Sequence, residues 1–216
     1  GGAGETRPGH GACDGGAGVL GEKRERGRGR GGGGGGREGG GWGGVGGGAG
    51  RAGLGKDVEK GGKKIMVVSV GSDHAGFQLK MKMLDLIRSW GYEVVDHGCY
   101  DNSKPVYFPE IARKVCQPVL DGTAERAIMF CGTGVGASIA CNKIPGIRAS
   151  MIHDVHCAHQ AVEHDDVQVM CIGEKIVGEW LAPDLIRTFL QAKANQDDWT
   201  PNVVRMLGEM DQSLKG

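Results

Sequence analysis

The chain has 216 residues, its 26 Lys and Arg balance its 26 Asp and Glu, and 43 of its residues are glycine. A net charge of zero argues against an electrostatic field that would draw the whole chain to nucleic acid or to an anionic membrane. Since no run of 18 apolar residues occurs, a transmembrane helix is not expected.

The glycines divide the chain into two parts. Thirty of them lie within residues 1–62, a Gly/Arg-rich tract of low complexity. Glycine loses much backbone entropy on folding and buries no side chain, so this tract is predicted to be a disordered tail. Its Arg-Gly steps resemble RNA-binding segments, but glutamates dilute the charge and Trp42 is its single aromatic, so binding to nucleic acid is not expected. The remaining residues, 63–216, suit one domain.

The cysteines indicate a reducing environment. Their number is odd, no pair has CxxC spacing, and several lie inside apolar runs, as in "VMCIG" and "IACNK". Buried thiols of this kind are typical of a reducing compartment, so a cytoplasmic location is predicted. The seven positions are Cys13, Cys99, Cys116, Cys131, Cys141, Cys157 and Cys171.

After the tail, apolar strands alternate with amphipathic helices. "IMVVSVG" is an apolar, β-branched run typical of a buried parallel strand. "FQLKMKMLDLIRSWG" has apolar residues at helical spacing, and "YEVVDHG" predicts a second strand. The next helix, "PEIARKVCQPVLDG", begins at Pro109, and we expect Pro118 to kink or shorten it.

The alternation continues to the end of the chain. "RAIMFCG", "IRASMI" and "VQVMCIG" predict three more strands, with helices in "GASIACNKI" and "VHCAHQAVEH" between them. A helix in "GEWLAPDLIRTFLQAKANQ", with Pro183 in its first turns, and a last helix in "PNVVRMLGEMDQ" follow. The pattern predicts an α/β fold, a single doubly wound, Rossmann-like domain with a five-stranded parallel sheet. Such sheets bind ligands at the carboxyl ends of their strands, which is where a site is expected.

The third strand leads into the glycine-rich segment "CGTGVGAS". Gly132, Gly134 and Gly136 allow the backbone to approach a ligand closely, and the helix that follows adds its positive end, so the segment predicts an anion site. Cys131 stands at the lip of this loop, where the helix end favours the thiolate that a general base requires. The alternative is a dinucleotide-binding loop beside an uninvolved cysteine, but the acidic residue expected after the next strand is missing.

The first strand leads into "GSDHAG". Asp73 and His74 at a strand end could bind sugar hydroxyls and move protons. The alternative is an aspartate that caps the next helix, beside a surface histidine, and these residues leave both interpretations open. His153, His156 and His159 are spaced by three residues and drift around a helix, so a metal site is not expected.

"DHAGF" and "CGTGVGASIACNKIPGIRA", together with "HDV", "EHDD" and "GEKIVG", resemble a family of sugar-phosphate isomerases. This family includes type B ribose-5-phosphate isomerase and the galactose-6-phosphate isomerase subunits. The resemblance runs from about Ile65 to Gln191 and covers five strand ends in order. It implies the same doubly wound fold and an aldose–ketose isomerisation of a sugar or sugar phosphate, without a metal or a cofactor. It also implies a homodimer whose active sites take residues from both subunits.

The resemblance assigns a role to each matching residue. Cys131 is implied to take the proton from the carbon beside the carbonyl, and His164 to open the sugar ring. Asp73 and His74 are implied to contact sugar hydroxyls. The loop that is implied to stabilise the enediolate oxygens consists of Gly132, Thr133, Gly134 and Gly136, with Thr133 counted among the catalytic residues.

The chain departs from the family pattern near the expected substrate. The family has Asp-Tyr-Pro before the second helix, whereas this chain has Tyr107, Phe108 and Pro109, so an acid and a phenol are missing. Asp165 stands where the family has an asparagine, and Lys175 where it has an arginine. Both are still predicted to contact substrate, although an anion at residue 165 would repel an enediolate unless it is protonated or turned away.

The phosphate end departs further. The family's phosphate-binding arginines align with Trp199 and Val203, with Arg205 nearby. Arginine binds phosphate through two parallel hydrogen bonds, which lysine cannot do. Ribose 5-phosphate is therefore one candidate substrate. The alternatives are another sugar phosphate, an unphosphorylated sugar, or a non-catalytic relative that binds sugar.

Overall fold

The structure, a computed structural model, describes residues 58–60 and 63–213. It begins with a short hairpin that the sequence pattern did not predict, in which β1 (Val58–Lys60) pairs antiparallel with β2 (Lys63–Ile65). The boundary predicted at residue 62 falls inside this hairpin. Residues 1–57 of the predicted tail lie outside the described residues.

A five-stranded sheet forms the centre of the domain. Its spatial order is β4-β3-β5-β7-β6, and every neighbouring pair is parallel. All residues of β5 and β7 are buried, because helices cover both faces of the sheet. The predicted α/β fold is confirmed. The strands are β3 (Val67–Ser72), β4 (Glu93–Asp96), β5 (Arg126–Cys131), β6 (Ala149–Met151) and β7 (Val169–Gly173).

The helices form two layers. The first, fourth and fifth helices, whose bounds are given at the end of this paragraph as α1, α4 and α5, bury one core against the sheet. The second and third, α2 and α3, bury a second core against its other face. The last helix, α6, packs against α4. No helix in the described part of the chain combines the length and apolar character needed to cross a membrane. The helices are α1 (Phe77–Ser89), α2 (Phe108–Leu120), α3 (Val135–Asn142), α4 (Val155–Asp165), α5 (Ala182–Gln191) and α6 (Trp199–Ser213).

Element boundaries differ from the predicted ones in three places. Helix α2 continues past Pro118 to Leu120, and because the helix ends two residues later the proline removes a hydrogen bond only from its last turn. Strand β6 is shorter than predicted because it is an edge strand with one neighbour, β7. Helix α5 begins at Ala182 rather than at Gly178, and Pro183 lies in its first turn as predicted.

A buried ion pair fixes the end of β4. The side chain of Lys80 on α1 is wholly buried, and its Nζ donates to both carboxylate oxygens of Asp96, at 2.9 and 2.8 Å. The same ammonium donates to the carbonyl of Cys99 at 2.7 Å. A buried charge is tolerated only when it is paired and hydrogen-bonded, so these three bonds define the path of residues 96–99.

We predict that Asp96→Ala destabilises the protein by about 3–5 kcal/mol, because it leaves the Lys80 ammonium buried without its counter-ion. Urea denaturation would measure the loss. Glu179→Ala is the matched control, since it removes the partner of the exposed Lys82 and should cost less than about 1 kcal/mol. Equal losses in the two variants would contradict this account of Lys80.

Candidate active site

The strand order places two loops together at the carboxyl edge of the sheet. The chain passes from β3 outward to β4, and the next strand, β5, adds on the other side of β3. A crevice opens where the order of strands reverses in this way, between the ends of β3 and β5. The N–H of Asp73 donates to the carbonyl of Phe130 at 3.2 Å, so the two strand ends are in direct contact.

Cys131 is the last residue of β5 and is buried, and the loop after it leads directly into α3. Gly134 begins α3 with φ 81°, a left-handed conformation that favours glycine. The N–H groups in the first turn of a helix have no acceptor within that helix. In α3 the N–H of Val135 donates to Oγ1 of Thr133 at 3.4 Å, and the two N–H groups that follow it have no acceptor within the helix. The exposed Thr133 side chain lies in the same loop. The ring of Phe108 lies 3.1 Å from where a Cβ on Gly136 would stand, and so borders the mouth of the loop.

Two glycines allow neighbouring backbones to pack against the end of β5. A Cβ on Gly76 would lie 2.3 Å from the carbonyl carbon of Phe130 and 2.4 Å from the nitrogen of Cys131. A Cβ on Gly173 would lie 2.7 Å from the carbonyl carbon of Thr133. No side chain fits at either place, so α1 and β7 contact the loop through main-chain atoms.

The segment after β7 is hydrogen-bonded to the loop that follows Cys131. The N–H groups of Glu174 and Lys175 donate to the carbonyls of Cys131 and Gly132, at 2.8 and 3.0 Å. The carboxylate of Glu174 accepts the N–H of Leu79 at 2.8 Å, which joins this segment to the first turn of α1. The loop carbonyls are therefore occupied by protein donors. The side chain of Lys175 is exposed beside them.

Asp73 and His74 occupy the neighbouring strand end. Oδ1 of the buried Asp73 accepts the N–H groups of Ala75 and Gly76, at 2.9 and 3.0 Å, which stabilises the turn before α1. Nδ1 of the exposed His74 lies 3.2 Å from the nitrogen and 3.4 Å from the carbonyl oxygen of Val106, so the imidazole is bonded to the backbone of that residue. Asp73 thus forms a turn ahead of α1 and does not cap the helix, whose N-cap is Gly76 without a side-chain cap. Its contact with substrate stays a prediction.

His164 and Asp165 lie at the opposite edge of the same sheet. They end α4, and the residue that follows them, Asp166, pairs with Arg126 at the start of β5, with an N–O distance of 3.5 Å. Cys131 ends β5 five residues later, which is about 16 Å along a strand. One protomer therefore does not bring His164 and Asp165 to Cys131.

The other described cysteines differ from Cys131 in their surroundings. Cys116, Cys141 and Cys171 pack in the core beneath α2 and α3, where a hydrogen bond with Cys141 and burial raise the pKa of Cys116. Cys157 is exposed on α4. Across residues 58–60 and 63–213, no three His, Cys, Asp or Glu side chains are grouped so as to hold a metal ion.

The fold and the site together define a class: an α/β enzyme with a cysteine beside a glycine-rich loop at the topological switch point. A model of the ribose/galactose isomerase family matches residues 68–206. The chain is 34% identical to galactose-6-phosphate isomerase subunit LacB of Clostridium acetobutylicum over 70% of this chain and 87% of the relative. It is 32% identical to D-erythrulose-4-phosphate isomerase of Pectobacterium atrosepticum, over 66% of this chain and 93% of the relative.

Solved structures give the same result. Ribose-5-phosphate isomerase B of Clostridium thermocellum superposes with a TM-score of 0.66 at 38% identity, covering 69% of this chain and 99% of that one. Type B ribose 5-phosphate isomerase of Leishmania infantum superposes with a TM-score of 0.66 at 30% identity, with the same coverage. The chain belongs to the ribose/galactose isomerase family, and it is a sugar phosphate isomerase of that family.

Sequence reasoning missed two residues of this site. Glu174 was part of the resemblance, but its contact with α1 depends on Leu79, which lies 95 residues earlier. His153 belongs to the segment "HDV" of the resemblance and is one of three evenly spaced histidines, but neither pattern predicts that its imidazole accepts the N–H of Gly173 in β7. Their position in the sequence could have indicated both residues, because His153 and Glu174 each closely follow the carboxyl end of a strand, where a ligand site is expected.

We predict that Gly76→Ala disrupts the site, because the added methyl group would overlap the backbone of Phe130 and Cys131. Overpacking of this kind costs about 1–3 kcal/mol, measurable by urea denaturation, and should displace Cys131 and reduce turnover. Gly178→Ala is the control, since a Cβ there has nothing within 4 Å. A Gly76→Ala variant as stable and active as Gly178→Ala would show that the close contact is not needed.

Proposed function

We propose that the protein interconverts an aldose phosphate and a ketose phosphate through an enediolate, with Cys131 as the general base. The observation that carries the proposal is the position of Cys131 at the strand end, just before the first turn of α3. A base must reach the carbon-bound proton, and donors must face the oxygen that becomes negative in the transition state. The Cys131 loop offers both within a few residues.

In the proposed reaction, Cys131 first removes a proton from the sugar, and the loop after it stabilises the enediolate that forms. The thiolate of Cys131 removes the proton from the carbon next to the carbonyl, and the electron pair moves onto the carbonyl oxygen. The N–H groups after Gly132, and the Thr133 hydroxyl, stabilise this enediolate. The hydroxyl proton on the carbon that lost its hydrogen then passes to the former carbonyl oxygen. The proton held by Cys131 returns to the former carbonyl carbon, so that the aldehyde becomes a hydroxymethylene group and its neighbour becomes the ketone. Asp73 and His74 would hold sugar hydroxyls from the neighbouring strand end.

The residues expected near the substrate's phosphate group are compatible with more than one sugar phosphate. Lys175 is an exposed cation at the loop, and Arg205, the basic residue of α6, is paired with Glu209. Trp199 stands 71% exposed where the resemblance places an arginine. We keep ribose 5-phosphate as the first candidate. The relative named D-erythrulose-4-phosphate isomerase makes a four-carbon sugar phosphate the second.

We also infer a homodimer with shared active sites. His164 lies at the edge opposite Cys131, so a second copy related by a two-fold axis could supply it. The outer side of α3 and the neighbouring β6 and α4 expose apolar side chains, as does α6, and a second copy would cover them. These exposed residues are Val135, Ile139, Met151, Val155, Trp199, Met206 and Met210.

The first test is a coupled isomerisation assay of the full chain with phosphorylated and free tetroses, pentoses and hexoses. We expect turnover of a sugar phosphate that falls by about 10²- to 10⁴-fold in Cys131→Ala, because the general base is lost. Cys157→Ala, which changes an exposed thiol on α4, should retain wild-type turnover. A folded protein without turnover of any sugar would favour the non-catalytic relative, and turnover of unphosphorylated sugars alone would overturn the phosphate assignment.

Shared active sites predict complementation between two inactive variants. With a ring-forming pentose phosphate as substrate, Cys131→Ala and His164→Ala subunits, mixed in equal amounts and reassociated, should recover about one quarter of wild-type activity. Half of the dimers would be mixed, and each mixed dimer would hold one intact site. The control is Cys131→Ala protein alone, taken through the same dissociation and reassociation, which should stay inactive. A mixture no more active than its components would contradict the sharing of His164 between subunits.

A further inference from the structure

His153 lies beside the anion loop and is not explained by the proposed reaction. It follows the edge strand β6, and the N–H of Ile152 before it donates to the carbonyl of Cys171 at 3.0 Å. The half-buried imidazole accepts the N–H of Gly173, the last residue of β7, at a distance of 3.1 Å from its Nε2. The same Nε2 lies 3.4 Å from where a Cβ on Gly134 would stand. The imidazole therefore contacts both β7 and the start of α3.

Gly173 transmits this contact to the catalytic loop. Its Cα packs directly against the backbone of Thr133. The next two N–H groups, those of Glu174 and Lys175, donate to the carbonyls of Cys131 and Gly132. If the peptide before Gly173 rotates, these two donors move with it. The orientation of the loop peptides thus depends on what holds the N–H of Gly173.

The bond requires a neutral imidazole. A nitrogen that accepts an N–H cannot carry a proton, so the proton of the neutral ring is on Nδ1. Burial lowers the pKa of His153 from its ordinary value of 6.5, against an opposite effect from Asp154. The neutral form is therefore favoured in the folded protein at pH 7. As the pH falls below 6.5 the unfolded chain takes up the proton first, so stability decreases.

The ionisable groups on the surrounding elements are few. Asp154 begins α4, and its carboxylate accepts the N–H of Cys157 at 2.7 Å. On the β7 side, Glu174 is bound to the N–H of Leu79, the thiol of Cys171 is buried, and Lys175 is exposed. The α3 side presents Gly134. The charge of Asp154 raises the pKa of His153, but burial lowers that pKa by more.

We propose that His153 is a positioning residue whose neutral imidazole holds the Gly173 peptide, so that the loop after Cys131 presents its N–H groups to the substrate. This inference rests on the proposed isomerase function for its effect on turnover. Its structural part, a neutral imidazole with the proton on Nδ1 that holds Gly173, stands independently of the reaction.

The structural part is tested by NMR of the full-length protein. Imidazole nitrogen shifts of His153 should show the Nδ1–H tautomer at pH 7. In His153→Leu the Gly173 amide should exchange faster with solvent and the amide shifts of Gly132 and Gly134 should move. His153→Gln, whose amide oxygen can replace Nε2 as acceptor, should restore both. A proton on Nε2, or an unchanged Gly173 amide in His153→Leu, would overturn the proposal whatever the enzyme's substrate.

The kinetic part uses the same variants. His153→Leu should lower kcat by about ten- to hundred-fold with little change in KM, because a displaced loop misaligns the reacting groups. His153→Gln should recover most of kcat and lose the acid decline that protonation of His153 contributes. His156→Gln, on the exposed side of α4, is the control and should match the wild type. Equal loss of kcat in the Leu and Gln variants would refute the acceptor role. No turnover by the wild type would refute the proposed function instead, while leaving the NMR result to decide the role of His153.

Discussion

The close approach of three backbones at the end of β5 is the constraint on which the site depends. Gly76 brings α1 against Phe130 and Cys131, and Gly173 brings β7 against Thr133, in places where no side chain would fit. Main-chain atoms cannot yield as the tip of a flexible side chain does, so the elements cannot slide past one another without breaking these contacts. The position of the Cys131 thiol therefore results from packing between segments that are far apart in sequence, rather than from the local loop.

Much of this arrangement could be predicted because it follows from local patterns. Apolar runs and helical spacing gave the five strands and their helices, and the carboxyl-end rule brought the segments after β3 and β5 together. Contacts that depend on distant neighbours could not be predicted. The spacing of the histidines does not predict that His153 accepts the N–H of Gly173. Nor does the sequence around Glu174 predict that its carboxylate accepts the N–H of Leu79, which lies 95 residues earlier. The hairpin β1–β2 lies in a glycine-rich stretch, where side-chain periodicity is lost.

The charges near the loop suit the anionic intermediate of the proposed mechanism. The carboxylates of Asp73 and Glu174 both accept backbone N–H groups of the α1 region, so their negative charge is already engaged by donors. Burial lowers the pKa of His153 and so favours its neutral form. Lys175 adds an exposed basic side chain beside the loop. Stabilisation by fixed backbone dipoles needs no reorganisation when charge develops in the substrate.

In the proposed homodimer, the separation of Cys131 and His164 gives the second subunit a role that depends on the substrate. A pentose phosphate closes into a ring, and its isomerisation needs a group that opens the ring before Cys131 can act. A four-carbon aldose with its phosphate on the terminal oxygen cannot close a five-membered ring through that oxygen. The proposed contribution of His164 from a partner would be essential for the first substrate and dispensable for the second. The phosphate end of the crevice and the need for His164 are therefore linked, and turnover that survives loss of His164 would point to the shorter sugar.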